Sequence, residues 1–248
     1  MLAVSTSLME KDRYHHGDLA NALIEAALAA VELGGAADLS LRALAERLGV
    51  SRAAPYRHFA DRDALLAAVA ARGFEALCDG YEAALSAPGD GAFTLRAATR
   101  FYMDFARSRP GLHALMFQTD YLNRTPPPAV LIPPANRAYE LLMRLVARTV
   151  PGADDRTLKA RTITLWSTSF GFVSLRAAGR IKPFMRDPLE DAEIEAAILE
   201  AVAPSGAPST RAQRPERVKG GLGFLKAEPL ETGLQFRADR RLDIEDAP

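Results

Sequence analysis

A short basic segment at residues 41–59 contains the side chains best suited to specific chemistry. Its sequence is LRALAERLGVSRAAPYRHF. Arginine presents a rigid fork of donors that fits phosphate oxygens and the major-groove edge of guanine, and tyrosine and histidine side chains also bond to phosphate. Between residues 42 and 62 the chain has five arginines against two acidic residues, Glu46 and Asp61. These residue types favour contact with nucleic acid.

The positive charge is local. The whole chain has 31 basic and 31 acidic residues, and residues 1–65 carry 7 Lys and Arg against 9 Asp and Glu. A net charge of zero argues against a protein that binds polyanions over its entire surface. Positive charge concentrated on one element is typical of phosphate contact that leaves the rest of the protein soluble.

Two short helices joined by a tight turn are predicted to position these side chains. Ser40 is suited to cap the first helix, which ends before Gly49, a residue that can adopt the left-handed backbone of a turn. Ser51 is suited to cap the second helix, which extends to about residue 58. Pro55 would be its fourth residue, where a missing N–H removes only the first intrahelical hydrogen bond. The pattern is that of a helix-turn-helix.

The second helix is predicted to be anchored to the core by Val50 and Phe59. Its outer face then carries Arg52, Tyr56, Arg57 and His58. Basic residues on a short amphipathic helix are often only a solvated face. A plain surface helix has no need of a tyrosine beside cations, however, so the combination of charge, glycine turn and serine cap favours DNA recognition.

The remainder of the chain is predicted to be helical, which gives an all-α fold of about nine helices. Alanine, the residue with the highest helix propensity, occupies 46 of the 248 positions. Before residue 200 no segment alternates with the period of a strand. The predicted helices span residues 18–31, 40–48, 51–58, 63–86, 93–107, 111–118, 135–150, 154–178 and 190–202. Five prolines at 126–134 mark a loop.

The chain is predicted to divide into a flexible N-terminal arm (1–13), a three-helix helix-turn-helix domain (14–62), a connecting fourth helix (63–86), a second helical domain (87–203) and a poorly ordered tail (204–248). The tail is rich in Gly, Pro, Ser, Arg and Glu, a composition typical of disorder.

Several classes of protein are disfavoured. The longest apolar run, residues 64–71, is far shorter than a membrane span, and the N-terminus does not have the pattern of a secretory signal, so we expect no membrane association and a cytoplasmic location. Cys78 is the single cysteine and cannot form an internal disulfide. With four histidines and no paired carboxylates at catalytic or metal-binding spacing, we expect neither an enzyme nor a metal or other cofactor.

Three motifs resemble the N-terminal domain of TetR-family transcriptional regulators. They are YHHGDL at 14–19, SRAAPYRHF at 51–59 and DRDALL at 61–66. The resemblance covers about residues 13–75. It implies that the chain binds double-stranded DNA through a recognition helix at 51–58.

The resemblance also implies a role for individual residues. Arg52, Ala53 and Ala54 would face base edges, and Tyr56 and His58 would lie on phosphates. Arg62 stands where the family usually has a phosphate-binding lysine, and its guanidinium keeps the charge. Tyr14, His15 and His16 would lie near the backbone or in an adjacent minor groove. The predicted DNA contacts are therefore Tyr14, His15, Arg42, Ser51, Arg52, Ala53, Ala54, Tyr56, Arg57, His58 and Arg62.

The C-terminal half resembles the family more loosely. Residues 166–171, WSTSFG, are similar to the Trp-x-x-x-His-Gly stretch of one TetR subgroup, with Phe170 in place of the histidine. By the resemblance, residues 87–203 would bind a small-molecule effector and form a homodimer. The predicted ligand-binding residues are Phe101, Phe105, His113, Met116, Phe117, Trp166 and Phe170, although for any single one of them a place in the ordinary core is the more common role.

Dimerisation is predicted for the last two long helices, because the apolar stripe on residues 194–202 must be buried and a second chain could bury it. A two-fold dimer implies a pseudo-palindromic operator. The hypothesis is a ligand-responsive repressor in which an effector shifts the recognition helices through the fourth helix. A constitutive DNA-binding protein without an effector, and an activator, remain alternatives.

Overall fold

The computed structural model of the chain describes residues 19–119 and 126–203, and every regular element in these two ranges is helical. The all-α prediction is therefore confirmed. The helices are α1 (Leu19–Gly34), α2 (Leu41–Arg47), α3 (Arg62–Ser86), α4 (Gly91–Ser108), α5 (Pro110–Phe117), α6 (Ile132–Ala147), α7 (Asp155–Ala177), α8 (Pro183–Arg186) and α9 (Asp191–Val202), with a 3₁₀ turn at Pro55–Arg57.

Helix α2 forms where the sequence predicts it. The Ser40 side chain accepts a hydrogen bond from the backbone N–H of Ala43, at 3.4 Å. Leu41, Leu44 and Ala45 are buried. Gly49 has φ +67°, a backbone conformation that costs a residue with a side chain more than it costs glycine. The first half of the helix-turn-helix pattern is therefore built as predicted.

The prediction of a third α-helix at residues 51–58 is wrong. Residues 51–58 make a series of turns with only the three-residue 3₁₀ segment Pro55–Arg57. Pro55 cannot donate to the Ser51 carbonyl, which instead accepts from the Ala54 N–H at 2.9 Å. The bonds from Arg57 to Ala54 and from His58 to Pro55 have the same three-residue span. Ser51 is therefore not the cap of an α-helix, and the proline has a larger effect than expected.

Helix α3 lies at the centre of the fold. Asp61 caps it by accepting from the Ala64 N–H at 2.7 Å. The helix is rich in alanine and leucine, is buried along most of its length, and packs against α1, α4, α5 and α6. All the described residues fall within one compact unit.

The C-terminal helices differ from prediction in two respects. Helix α6 begins at Ile132, three residues earlier than predicted, because Pro133 and Pro134 fall in its first turn, where no N–H donor is needed. The four-residue helix α8 was not predicted. Neither the arm at 1–13 nor the tail at 204–248 is among the described residues.

The apolar stripe of α9 packs within its own chain. Ile194, Ile198 and Val202 are partly buried against the core, and α9 contacts α4 and α7. Arg176 of α7 bonds to Asp191 and Glu195 of α9, each at 2.7 Å. The stripe is thus at least partly covered without a second chain, contrary to the argument that predicted it as a dimer surface.

Helices α1 and α5 approach each other closely. A Cβ atom added at Gly111 would lie 2.4 Å from the backbone oxygen of Val31 and 2.9 Å from the Cα of Glu32. The Glu32 carboxylate also caps α5, since it accepts from the N–H groups of Gly111 at 3.0 Å and Leu112 at 3.1 Å.

Among the described helices, none has a window long and apolar enough to span a membrane.

We predict that Gly111→Ala lowers the free energy of unfolding by about 2 kcal/mol, because two backbones must separate to admit a methyl group. Gly34→Ala is the matched control, since a Cβ at Gly34 would meet nothing within 4 Å, and its effect should be neutral or stabilising by up to about 1 kcal/mol. Urea denaturation of both variants tests this. Equal stabilities would contradict the close packing of α1 and α5.

Candidate DNA-binding surface and ligand cavity

The turn at residues 51–58, which replaces the third helix, has one buried side and one exposed side. We call it the basic turn. Pro55 and Phe59 are buried, and Val50 is partly buried against the core. The predicted outer residues are exposed, namely Arg42, Ser51, Arg52, Ala53, Tyr56, Arg57 and His58, whereas Ala54 is partly buried. Tyr56 is 51% exposed, so its side chain is accessible to a partner. The structure thus presents a compact basic surface on the turn and on α2.

Arg62 has internal partners. Its Nη2 donates to the backbone oxygens of Ala36 and Ala37, the latter at 3.0 Å, in the loop between α1 and α2. Its Nη1 lies 3.6 Å from a carboxylate oxygen of Asp63. The side chain therefore fastens the α1–α2 loop to the first turn of α3, a role that sequence analysis missed. Its predicted contact with phosphate stays a prediction. Tyr14, His15 and His16 lie outside the described residues.

A cavity of about 420 Å³ lies among α3, α4, α5, α6 and α7. Its volume is within the usual range for small-molecule sites. Its described walls are apolar, aromatic or hydroxyl-bearing: Phe74, Leu77, Tyr81, Tyr102, Met116, Phe117, Thr119, Ala135, Ala138, Tyr139, Leu142, Thr162, Ile163 and Trp166.

Three of the seven predicted ligand residues line this cavity: Met116, Phe117 and Trp166. The other four do not line it. Phe170 stacks on His113 at 5.9 Å between ring centroids, behind the wall, and Phe105 is buried core. Phe101 packs against Gly80, where a Cβ would lie 2.1 Å from its ring.

Sequence analysis missed the contribution of α3. Phe74, Leu77 and Tyr81 lie one to two turns apart on one side of that helix and form one wall. They were predicted only as part of a connecting helix, and the available signal was the tyrosine at position 81 on an otherwise apolar face. Tyr102 and Thr162 were also missed.

His113 and Tyr102 form a buried polar pair, of which Tyr102 lines the cavity and His113 does not. The Tyr102 hydroxyl and the His113 Nε2 are 2.9 Å apart. His113 is 4% exposed, and burial lowers the pKa of its imidazole to about 4. Burial, with a smaller contribution from Tyr81, raises the pKa of the Tyr102 phenol. Both side chains are therefore uncharged at neutral pH.

Two family models match the chain. Residues 23–69 match the model for bacterial regulatory proteins of the tetR family, and residues 95–201 match the model for the tetracyclin repressor-like C-terminal domain. The chain belongs to the TetR family. The N-terminal match includes the basic turn, and the C-terminal match includes the helices that complete the cavity.

Solved structures share the fold of the chain. A protein of unknown function from Rhodococcus sp. RHA1 is 30% identical to this TetR-family chain, over 79% of it and 100% of that protein, with a TM-score of 0.66.

Two named regulators share the TetR fold at lower identity. The TetR family transcriptional regulator PfmR from Thermus thermophilus is 19% identical over 73% of this chain and 96% of its own, with a TM-score of 0.54. A TetR/AcrR-family regulator from Thermobifida fusca is 17% identical over 76% and 98%, with a TM-score of 0.57. No curated protein matches the chain. The similarity of residues 166–171 to the Trp-His-Gly subgroup stays a prediction.

We predict that His113 makes the stability of this TetR-family chain depend on pH between about 6.5 and 4. In that window the unfolded imidazole, with an ordinary pKa of about 6.5, binds a proton that the folded form does not bind, so the free energy of unfolding falls as the pH falls. His113→Gln, which cannot titrate, should lose on the order of 2 kcal/mol less between pH 7 and pH 4.5. Urea denaturation at the two pH values measures the difference. The same loss in both proteins would show that His113 is not the titrating group.

Proposed function

We propose that this TetR-family chain is a ligand-responsive repressor that binds a pseudo-palindromic DNA operator as a homodimer. The observation that carries the proposal is that one helix serves both sites. Helix α3 begins with Arg62, which fastens the loop before the helix-turn-helix, and farther along it forms a cavity wall with Phe74, Leu77 and Tyr81. A molecule that binds in the cavity therefore contacts the helix that supports the DNA-binding surface.

The basic turn supplies the proposed DNA contacts. Arg52 and Ala53 are exposed near its start and would face base edges together with Ala54. Tyr56 and His58 would bond to phosphates. Ser51, Arg42, Arg57 and Arg62 complete the proposed set, with Tyr14 and His15 from the arm. A turn anchored by a buried proline holds these groups with little conformational freedom, which reduces the entropy lost on binding.

The proposed dimer surface is the outer face of α7. Ile163 and Leu175 are 53% and 51% exposed, and the residues between them at helical spacing, Ser167 and Gly171, are small. A Cβ at Gly171 would meet nothing within 4 Å. Small residues flanked by large apolar ones allow a second helix to approach closely and still bury apolar area. Phe184, Met185 and Leu189, which follow α7 in the chain, are also exposed apolar side chains.

Two contacts connect the cavity with the DNA-binding half. One is α3 itself, and the other is α5, whose Met116 and Phe117 line the cavity and whose N-terminus is capped by Glu32 of α1. A ligand changes operator affinity only if it binds one arrangement of these helices more tightly than the other. We infer that the ligand-free dimer holds the two basic turns at operator spacing and that the ligand moves them through α3 and α5.

We predict that Arg52→Ala weakens binding to the specific operator by about 5- to 150-fold, since each bidentate base contact contributes about 1–3 kcal/mol. Tyr56→Phe should weaken binding to all sequences alike by a few fold, because a phosphate contact carries no sequence information. Arg144→Ala, at an exposed arginine of α6, is the control. Gel shifts on an operator selected from random duplex DNA measure all three. Unchanged affinity for both Arg52→Ala and Tyr56→Phe would contradict the proposed surface.

We predict that Leu175→Glu weakens dimerisation by at least about 30-fold, because an unpaired carboxylate would be buried between the two copies of α7. Leu33→Glu is the matched control, since Leu33 is 85% exposed on α1 and should leave the dimer intact. Sedimentation analysis at a range of concentrations gives the association constants, and circular dichroism confirms that both variants are folded. A dimer of unchanged strength in Leu175→Glu would place the interface elsewhere.

A further inference from the structure

The cavity has an open end and a buried end of different chemistry. At the open end Trp166 and Tyr139 are 44% and 41% exposed. At the buried end Tyr81 is 6% exposed and Tyr102 is 3% exposed. Phe74, Phe117 and Trp166 form an aromatic section of the wall, with 5.5 Å between the ring centroids of Phe74 and Phe117 and 6.2 Å between those of Phe117 and Trp166. A bound molecule would therefore contact the aromatic section as well as the tyrosine side chains.

Ser169 adds an unpartnered hydroxyl at the buried end. Its side chain is on a residue only 3% exposed, and among the described residues its Oγ has no hydrogen-bond partner. Ser169 does not itself line the main cavity but borders a neighbouring void of about 10 Å³ together with Tyr81, Tyr102 and Trp166, all three of which also line the main cavity. A buried hydroxyl without a partner costs stability, so such a group points to a bonding partner that is absent from the free protein.

The tyrosines at this end also keep bonding capacity. No described residue is hydrogen-bonded to the hydroxyl of Tyr81, and burial raises the pKa of that phenol, which keeps it a donor. The Tyr102 hydroxyl is bonded to the neutral His113, which leaves an oxygen lone pair for a further donor. We call Tyr81, Tyr102 and Ser169 the hydroxyl cluster.

The threonines of the cavity differ from the hydroxyl cluster. Thr162 lines the same cavity, but its hydroxyl donates to the backbone oxygen of Leu158, one turn earlier in α7, at 2.8 Å. Thr119 donates to Leu115 in the same way, at 2.6 Å. The protons of these hydroxyls are used within the helices. Unlike the hydroxyls of these threonines, the buried hydroxyls of Tyr81 and Ser169 therefore keep their protons for a ligand.

A hydroxyl cluster suits an uncharged head group. An ionised group that leaves water requires an opposite charge or several strong donors, whereas the described walls offer only apolar, aromatic and hydroxyl side chains. A neutral hydroxyl, carbonyl or amide requires one or two hydrogen bonds, which the cluster can provide. The aromatic section favours a flat, apolar body that can pack against ring edges and faces.

We propose that the cavity binds an uncharged molecule with a flat apolar body, whose single hydrogen-bonding head group lies on the hydroxyl cluster of Tyr81, Tyr102 and Ser169. This deepens the proposed function, on which it rests, because it names the class of molecule to which the repressor responds. Ser169 and Tyr81 are the specificity-determining residues for the head group, and the aromatic section contributes affinity for the body.

Three probes of the same ring system separate the contributions: pyrene, 1-hydroxypyrene and 1-pyrenecarboxylate. Their binding to the full chain, without DNA, is measured by quenching of Trp166, which is the single tryptophan and lies in the cavity wall. We expect 1-hydroxypyrene to bind about tenfold more tightly than pyrene, and the carboxylate to bind more weakly than both. Equal or tighter binding of the carboxylate, or no binding by any probe, overturns the proposal.

Ser169→Ala and Tyr81→Phe each remove only a hydroxyl and should preserve the fold. Each should reduce the preference for 1-hydroxypyrene over pyrene by about 3- to 10-fold while leaving the affinity for pyrene unchanged. Thr162→Val is the matched control, because that hydroxyl is already bonded within α7, and it should leave the preference unchanged. An unchanged preference in both Ser169→Ala and Tyr81→Phe overturns the proposal.

A gel shift with and without 1-hydroxypyrene separates this inference from the proposed function. Binding as expected without any change in operator affinity would sustain the hydroxyl cluster as a site for neutral molecules and contradict the ligand-responsive repressor. Operator release by 1-pyrenecarboxylate alone would support the ligand-responsive repressor and contradict the hydroxyl cluster as a site for neutral molecules.

Discussion

The burial of α3 is the constraint on which the rest of the structure depends. The small residues of α3 let four helices pack closely against it, and side chains of other helices lie directly against two of its glycines. A Cβ at Gly73 would lie 2.3 Å from the sulfur of Met116, and a Cβ at Gly80 would overlap the ring of Phe101. Because interiors are densely packed, a helix held on so many sides shifts as a unit rather than bending locally. The orientation of α3 therefore fixes the cavity wall and the support of the basic turn together.

Much of the fold could be predicted from the sequence because its signals are local. The side chains of Ser40, Asp61, Asp90 and Asp154 each accept a hydrogen bond from a backbone N–H three residues on and so define where α2, α3, α4 and α7 begin. The third helix could not be predicted in the same way. Pro55 acts on the hydrogen bonds of its neighbours, and the choice between an α-helix and successive 3₁₀ turns depends on a small energy difference that the pattern does not contain.

The candidate sites show where sequence information ends. The exposed arginines and Tyr56 were found because charge and turn chemistry lie close together in the sequence. The cavity was only partly found, because its wall combines residues of five helices and depends on tertiary packing. The stripe on α9 shows the same limit, since periodicity shows that a face is buried but does not show what buries it. The hydrogen-bond partners of Arg62 and Glu32 lie 25 to 80 residues away in the chain, beyond any local pattern.

The carboxylate of Glu32 has a mechanical consequence for the two halves of the chain. Two backbone N–H groups at the start of α5 are tied to a single side chain of α1, and Gly111 brings the two backbones into contact at the same place. If α5 moves farther than the two hydrogen bonds can stretch, either both bonds break or α1 moves together with α5. The free energy needed to break these two hydrogen bonds therefore limits how far α5 can move before α1 is displaced.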